Sequence, residues 1–327
     1  MRFVLRRTGF FLFTLWAAVT MNFVIPRLMP GNPALAMMAR YKGHINGQAL
    51  KALEVLFGVK VHQSLVSEYF QYLANIFQGR FGISYTFFPD SVSHEVLQAI
   101  PWTLGLVGVT TVLAFLLGTL IGLVSAWRRG GALDSLLPPI FVITSAFPYF
   151  WIALLTVWLF GVKLNWLPEF GGYNIGATPG WQWSFISDVL VHSILPAATI
   201  LVTSIGGWIL TMRNNVISVL SEDYVRMARA KGLKPWTVMW GYAGRNAILP
   251  NLTGFAMSLG FVVSGAILVE FVFNYPGVGW MLLDAVNNED YPLMQALFLL
   301  ITVAVLVAVL MADILTALLD ARTRDLA

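Results

Sequence analysis

Residues 100–126 read IPWTLGLVGVTTVLAFLLGTLIGLVSA and contain no Asp, Glu, Lys or Arg. An α-helix needs about 20 consecutive apolar residues to cross the hydrocarbon core of a bilayer. This stretch is long enough, and Arg128 and Arg129 follow it closely. Outward from it lie five further apolar stretches, residues 8–25, 136–160, 191–212, 252–271 and 294–318. The sequence therefore predicts six membrane-spanning helices.

The composition points to the same class of protein. The chain has 327 residues, of which 58% are hydrophobic and only 11% are charged. A soluble globular domain carries about 25% charged residues. We therefore predict an all-α membrane protein. Cys is absent and the four His are scattered, so the sequence offers no thiol nucleophile, metal site or bound cofactor.

The distribution of Lys and Arg predicts the orientation. If the N-terminus is cytoplasmic, the two short outside loops contain only Lys163 among their Lys and Arg. Cytoplasmic loops carry an excess of these residues, so both termini are predicted to be cytoplasmic in a plasma membrane. The first stretch also resembles a signal peptide, but no small-residue cleavage pattern follows it.

This topology divides the chain into four parts. Residues 1–25 form a cytoplasmic tip and the first span, and residues 26–98 form an extracytoplasmic region with helices predicted at 48–59 and 64–77. Residues 99–320 form a core of five helices. Residues 321–327 are a cytoplasmic tail.

Between the fourth and fifth spans, residues 221–233 read SEDYVRMARAKGL. Ser221 is a candidate N-cap, acidic residues follow it, and Gly232 can adopt the left-handed conformation that ends a helix. The segment therefore predicts a short amphipathic helix in the cytosol. Two interpretations are open: a helix that docks on a soluble protein, and a basic helix that lies on anionic lipid.

Several motifs resemble the permeases of ABC importers, and most closely the B-type permeases of the dipeptide/oligopeptide/nickel branch. They are residues 223–233 (DYVRMARAKGL), 245–250 (RNAILP) and 269–279 (VEFVFNYPGVG), with shorter matches at 6–7, 30–33, 126–130, 290–292 and 319–322. The resemblance spans nearly the whole chain. It implies the fold of type I importers, with residues 221–233 as the coupling helix.

The resemblance also implies partners and site residues. The chain would form half of a translocation pathway, with a second, paralogous permease, two ATP-binding cassette subunits and an extracytoplasmic binding protein. Contact with the ATPase would involve Tyr224, Arg226, Met227, Ala228, Arg229, Lys231, Gly232 and Leu233. An outer gate, with a short helix at about 280–286, would involve Glu270, Pro276, Gly277, Gly279 and Asp284. The solute would be a peptide, an oligosaccharide or nickel.

The sequence argues against other functions. It contains no Gly-x-x-x-x-Gly-Lys-Ser/Thr motif, so nucleotide chemistry is expected in partner subunits and none in this chain. Nucleic acid is not an expected partner, because the net charge of +4 is explained by membrane topology. A secondary transporter needs coupling groups near the bilayer midplane, and the predicted spans contain acids only at Glu270 and Asp313, both off-centre.

The acidic residues after the fifth span have two interpretations. Glu270 is either a functional acid of the gate or a carboxylate near the membrane surface that is partly hydrated or hydrogen-bonded. Asp284, Glu289 and Asp290, with the neighbouring Asn287 and Asn288, would face the mouth of the pathway or a docked binding protein, or would form an ordinary solvated loop.

Overall fold

The computed structural model describes residues 2–28, 64–264 and 266–319, which are almost entirely helical. In chain order the helices are α1 (Arg2–Leu28), α2 (Leu65–Phe77), α3 (Val92–Trp127), α4 (Ala132–Ala146), α5 (Tyr149–Lys163), α6 (Trp183–Val219), α7 (Asp223–Ala230), α8 (residues 235–247), α9 (Leu249–Val262), α10 (Ile267–Val272), α11 (Val278–Asn287) and α12 (Tyr291–Leu319). Within these ranges the only β-structure is an isolated bridge between Ile83 and Ser91, so the all-α prediction is confirmed.

Four helices in the described part of the chain are long and apolar enough to cross a membrane. The segments that qualify are Arg7–Ile25 in α1, Val92–Trp127, Trp183–Val219, and Tyr291–Ala312 in α12. They correspond to the first, second, fourth and sixth predicted spans. The third and fifth predicted spans are not continuous helices, so the number of six membrane crossings stays a prediction.

Both discontinuous spans consist of two shorter helices. The first break lies at Phe147 and Pro148, between α4 and α5, where Phe147 is extended with φ −89° and ψ 133°. Pro148 explains this break, because proline disfavours the α conformation of the preceding residue and has no N–H to donate. The second break separates Val262 at the end of α9 from Ile267 at the start of α10.

Helices α3 and α6 pack at very short range through two glycines of α3. A Cβ atom on Gly122 would lie 2.5 Å from the Ile209 carbonyl oxygen and 2.9 Å from Met212 Cβ. A Cβ atom on Gly118 would lie 2.5 Å from Trp208 Cβ. Small residues four positions apart let membrane helices approach closely, which the sequence analysis did not consider. Gly260 lies inside α9, where a Cβ would overlap Ala308 of α12.

We expect Gly122→Ala to lower thermal stability, because α6 must move away from α3 to admit the methyl group. Overpacking of this kind costs about 1–3 kcal/mol. The matched control is Gly105→Ala, at a position of the same helix where an added Cβ meets nothing within 4 Å. Replacing a helical glycine in open space with alanine stabilises by roughly 0.5–1 kcal/mol.

The measurement is the temperature at which half of the purified, detergent-solubilised protein aggregates. It should fall for Gly122→Ala and stay level or rise for Gly105→Ala. Equal midpoints for the two variants would contradict the close approach of α3 and α6.

The region predicted to be extracytoplasmic is described from residue 64 onward. The predicted helix at 64–77 is confirmed as α2, which starts one residue later because the Ser64 hydroxyl caps it by accepting from the Ser67 N–H at 3.3 Å. Helix α2 packs on α1: Tyr72 accepts from the Asn22 side chain at 3.1 Å, and Tyr69 lies edge-on to Phe23. The helix predicted at 48–59 lies outside the described residues.

Candidate functional site

The polar helix α7 begins at Asp223, with Glu222 as its N-cap residue. The prediction that Ser221 caps this helix is wrong, because the Ser221 hydroxyl donates to the Ser218 carbonyl at 2.6 Å. Neither Ser221 nor Glu222 supplies a side-chain capping bond. The two acidic residues at the start therefore stabilise α7 through the helix dipole, which favours negative charge at this end.

Helix α7 ends at a left-handed glycine, as the sequence predicts. Gly232 has φ +73°, and its N–H donates to the Arg229 carbonyl at 2.9 Å. The Leu233 N–H donates to the Ala228 carbonyl at 3.3 Å, and the Leu233 side chain packs on the apolar cluster beneath the helix. This combination of two hydrogen bonds and one apolar contact is the Schellman motif, which fixes the direction in which the chain leaves the helix.

The inner face of α7 is covered by its own chain. Val225 and Ala228 are buried with Val238 of α8, against the side chains of Trp127 and Leu220. The Arg229 guanidinium lies over the Trp127 ring, 5.4 Å from its centroid. Ala228, one of the predicted ATPase contacts, is only 2% exposed, and its small side chain lets α7 approach α8.

The outer face of α7 is available to a partner. Met227 is 59% exposed, and Tyr224, Arg226, Lys231 and Gly232 are exposed beside it. Arg226 and Asp223 form an ion pair at 3.7 Å. Both side chains are exposed to solvent, so the pair contributes little to stability. Trp236 of α8 is 68% exposed next to this face. Trp236 was not among the predicted site residues, although a tryptophan in a polar loop is itself a signal.

Glu270 is a fully buried carboxylate that holds the start of α11. Its Oε2 accepts from the backbone N–H groups of Gly279 at 2.7 Å and Trp280 at 3.3 Å. Its Oε1 accepts from the Thr103 hydroxyl at 2.9 Å, and Thr103 in turn accepts from the Val278 N–H at 2.7 Å. The first three N–H groups of α11 are thus satisfied by two side chains, one from α3 and one from α10. Of the two forms of the second interpretation, a hydrated and a hydrogen-bonded carboxylate, the structure shows the hydrogen-bonded one.

The other predicted gate residues surround this arrangement. A Cβ on Gly277 would overlap Glu270 Oε2 and lie 2.5 Å from Thr103 Oγ1, and a Cβ on Gly279 would lie 2.6 Å from Ile267 Cα. Pro276 packs beneath the preceding outer loop, where a Cβ on Gly172 would lie 2.9 Å from the Pro276 ring. Only glycine fits at these close approaches. The short outer helix predicted at about 280–286 is present as α11.

Asp284 and Asp290 differ from the prediction of exposed acids around a mouth. Asp284 is half-buried, and its Oδ1 accepts from the Asn288 side chain at 3.0 Å. Asp290 is fully buried: it accepts from the Ser84 hydroxyl at 2.5 Å and the Thr86 N–H at 2.8 Å, and so connects the outer loop to the start of α12. Burial and the charge of Asp290 raise the pKa of Tyr85.

The two helix breaks line one cavity of about 690 Å³. Thr144, Phe147, Pro148 and Tyr149 border it from the first break, and Ala266 and Val269 border it from the second. Thr203 and Ser204 of α6 complete the polar part of the wall. Irregular backbone at membrane depth is tolerated where it is buried in protein or lines a water-filled cavity, so the position of this cavity explains both breaks.

The described residues that line the cavity carry no charge. The Ser204 hydroxyl donates to the Ile200 carbonyl at 2.6 Å, and the Thr203 hydroxyl donates to the Thr199 carbonyl at 2.9 Å. Each hydroxyl hydrogen is therefore used inside α6, and the oxygen lone pairs remain as acceptors. A solute rich in N–H donors fits such a wall.

Residues 118–325 match the family model described as "Binding-protein-dependent transport system inner membrane component". The chain belongs to this family. It is 34% identical to the di/tripeptide transport system permease protein DppB of Pseudomonas aeruginosa, with 98% of each chain covered. It is 32% identical to the oligopeptide transport system permease protein AppB of Bacillus subtilis (98% of each) and 31% identical to the glutathione transport system permease protein GsiC of Escherichia coli K12 (99% of each).

The predicted B-type permease of an ABC importer is thereby confirmed, with the helical fold of type I importers. The permease is a multi-pass protein of the plasma membrane. Permeases of this family work with ATPase and binding-protein partners. The cavity between the helix breaks was not predicted from the sequence, in which no proline marks the break after Val262. The side chain of Asp313 lies outside the described part of α12.

Proposed function

We propose that this permease forms half of the translocation pathway for short peptides. The cavity between the two helix breaks carries the proposal, because its size lies within the range of about 300–1,000 Å³ that small-molecule sites occupy. Its neutral wall and its Ser204 and Thr203 oxygens suit the N–H groups that all peptides share, whatever their side chains. The printed names of the relatives support the same class of solute.

The cavity gives less support to the other solutes. The described residues around it include no His, Asp, Glu or Cys, which are the side chains that bind nickel. The same set offers no carboxylate for coupling to ions, so it does not favour a secondary transporter. An oligosaccharide stays a candidate, since Tyr149 at the rim presents an exposed ring.

The outer face of α7 is the proposed contact with an ATP-binding subunit. Met227 and Tyr224 offer apolar surface, and Arg226 and Lys231 offer positive charge next to it. Arg229 and Leu233 contribute indirectly, because they fix α7 to Trp127 and to the cluster around Val225. A helix held this rigidly transmits the movement of a docked subunit to α3, α6 and α8. ATP hydrolysis then belongs to the two partner subunits.

At the opposite end, α11 is the proposed outer closure. Glu270 and Thr103 hold its first turn, and Asp284 lies on its outer half. The extracytoplasmic binding protein would dock on this side, and a second permease would cover the open face of the cavity. In this proposal α7 and both termini lie in the cytoplasm, and residues 26–98 lie outside.

We expect Ser204→Phe to reduce peptide uptake at least tenfold, because the ring projects into the proposed pathway. Val202→Phe is the matched control, since Val202 is exposed on the same helix and does not line the cavity. Uptake of labelled di- and tripeptides is measured in cells that lack their own peptide importers and express the complete transporter. A labelled oligosaccharide in the same assay separates the two solute classes.

Basal ATP hydrolysis by the assembled transporter should be unchanged in both variants, because α7 is far from the substitution in sequence and is fixed to other helices. Normal uptake by Ser204→Phe would contradict the assignment of this cavity to the pathway. If the transporter took up the oligosaccharide and no peptide, the solute would be assigned to the oligosaccharides.

A further inference from the structure

A second, smaller crevice lies between α3, α6 and α8, near the end of the bundle that carries α7. Its volume is about 250 Å³, and its walls are almost entirely apolar, with Leu116 and Leu120 of α3, Met212 of α6 and Ile248. Leu116 is 48% exposed and Leu120 is 44% exposed, so the crevice opens on a side of α3 that presents only hydrocarbon to its surroundings. An aqueous solute gains nothing there, whereas an alkyl chain does.

The rim of the crevice has the opposite character. Arg245 and Trp240, both on α8, border it and are both exposed. Among the described residues the Arg245 guanidinium forms no ion pair, and the Trp236 ring lies 5.4 Å from that of Trp240. Tryptophan is enriched at the level of lipid headgroups, and arginine binds phosphate through several N–H donors.

The crevice is separate from the proposed peptide pathway. Met212 in the crevice and Thr203 in the cavity are nine positions apart on α6. Ser204, which also borders the cavity, is eight positions from Met212, so at a rise of about 1.5 Å per residue the two spaces begin about 12 Å apart along the axis of α6. No described residue lines both spaces, so a molecule in the crevice does not obstruct the pathway.

We propose that this crevice is a binding site for an anionic phospholipid, with one acyl chain between Leu120 and Met212 and the phosphate at Arg245. The apolar wall recognises the chain, and the unpaired guanidinium recognises the charge. Basic pockets between helices on the cytoplasmic side of membrane proteins bind anionic headgroups in this way. The lipid would connect α8 to α3 and would stabilise the base on which α7 rests.

The test compares dioleoyl phosphatidylglycerol with dioleoyl phosphatidylcholine by native mass spectrometry of the full-length permease, purified with the subunits that accompany it. The wild type should retain phosphatidylglycerol preferentially. Arg245→Gln should lower that preference about fivefold, which corresponds to about 1 kcal/mol per basic residue at a membrane surface. Arg128→Gln, which removes an exposed arginine outside the crevice, is the control for charge alone and should leave the preference unchanged.

Filling the crevice gives an independent readout. Leu120→Trp should reduce retention of the bound lipid several-fold, whereas Leu117→Trp, on an exposed position of α3 outside the crevice, should not. Equal lipid retention by the wild type, Arg245→Gln and Leu120→Trp would overturn the proposal.

The chain contains no Cys, so a single cysteine at Leu120 can carry a photoreactive label without further changes. In native membranes the label should form an adduct with phospholipid. A protein adduct with a second permease would overturn the proposal and assign the crevice to the contact between subunits. Neither result depends on which solute the transporter carries, so the peptide assignment is tested separately.

Discussion

Glu270→Ala is expected to abolish uptake and to destabilise the permease severely. The substitution removes the acceptor of two buried N–H groups, those of Gly279 and Trp280, and leaves the Thr103 hydroxyl without its acceptor. Each buried polar group that loses its partner costs about 1–3 kcal/mol. The free energy of unfolding therefore falls by at least about 3 kcal/mol, which is a large share of the stability of an ordinary protein.

Glu270→Gln is the matched control for this prediction. The amide oxygen can still accept from the two N–H groups of α11, so the first turn of that helix stays in place, but the amide nitrogen cannot accept from the Thr103 hydroxyl. We expect the free energy of unfolding to fall by about 1–2 kcal/mol, because one donor loses its acceptor and the remaining hydrogen bonds become neutral. Thermal aggregation midpoints and peptide uptake are measured for both variants. If Glu270→Ala were as stable and as active as Glu270→Gln, the anchoring role of this carboxylate would be wrong.

The second large effect is expected at the end of α7. Gly232→Glu should leave membrane insertion intact and reduce uptake at least tenfold. Gly232 has φ +73°, and a left-handed conformation costs an ordinary L-residue roughly 1–2 kcal/mol. An added Cβ atom would meet nothing within 4 Å in the permease itself, so we expect the side chain to project from the outer face of α7 toward a docked subunit. The charge and the bulk would both disturb docking.

Two controls separate backbone strain from charge at this site. Gly232→Asn keeps a residue that tolerates the left-handed region and should retain most of the uptake. Gly241→Glu adds the same charge to an exposed glycine of α8 with open space around it and no positive φ, and it should be nearly neutral. The measurement is ATP hydrolysis stimulated by the binding protein in proteoliposomes that contain all subunits. Full stimulation in Gly232→Glu would refute the docking role of α7.

Local signals in the sequence predicted most of the helices and the end of α7. Six apolar stretches predicted where the long helices lie, because hydrophobic length is a property of consecutive residues. Gly232 predicted the end of α7 for the same reason, since the φ that it adopts is a local requirement. The N-cap prediction failed because the Ser221 hydroxyl donates to the carbonyl of Ser218, three residues earlier.

Contacts between distant segments were beyond the reach of the sequence. Asp290 follows Asn and Glu residues and resembles an exposed loop acid, yet its partners Ser84 and Thr86 lie about two hundred residues earlier. The break after Val262 likewise has no proline to announce it. The carboxylate of Glu270 looked like a pathway residue because no local pattern identifies Thr103 as its partner.

Helix α10 is only six residues long and has two neighbouring residues with different contacts. Val269 borders the cavity between the helix breaks, and Glu270 holds the first turn of α11. One and a half helical turns cannot bend between adjacent positions, so a rotation of α10 displaces both contacts together. We therefore expect widening of the cavity and release of α11 to occur together as one concerted event, without a separate signal for each.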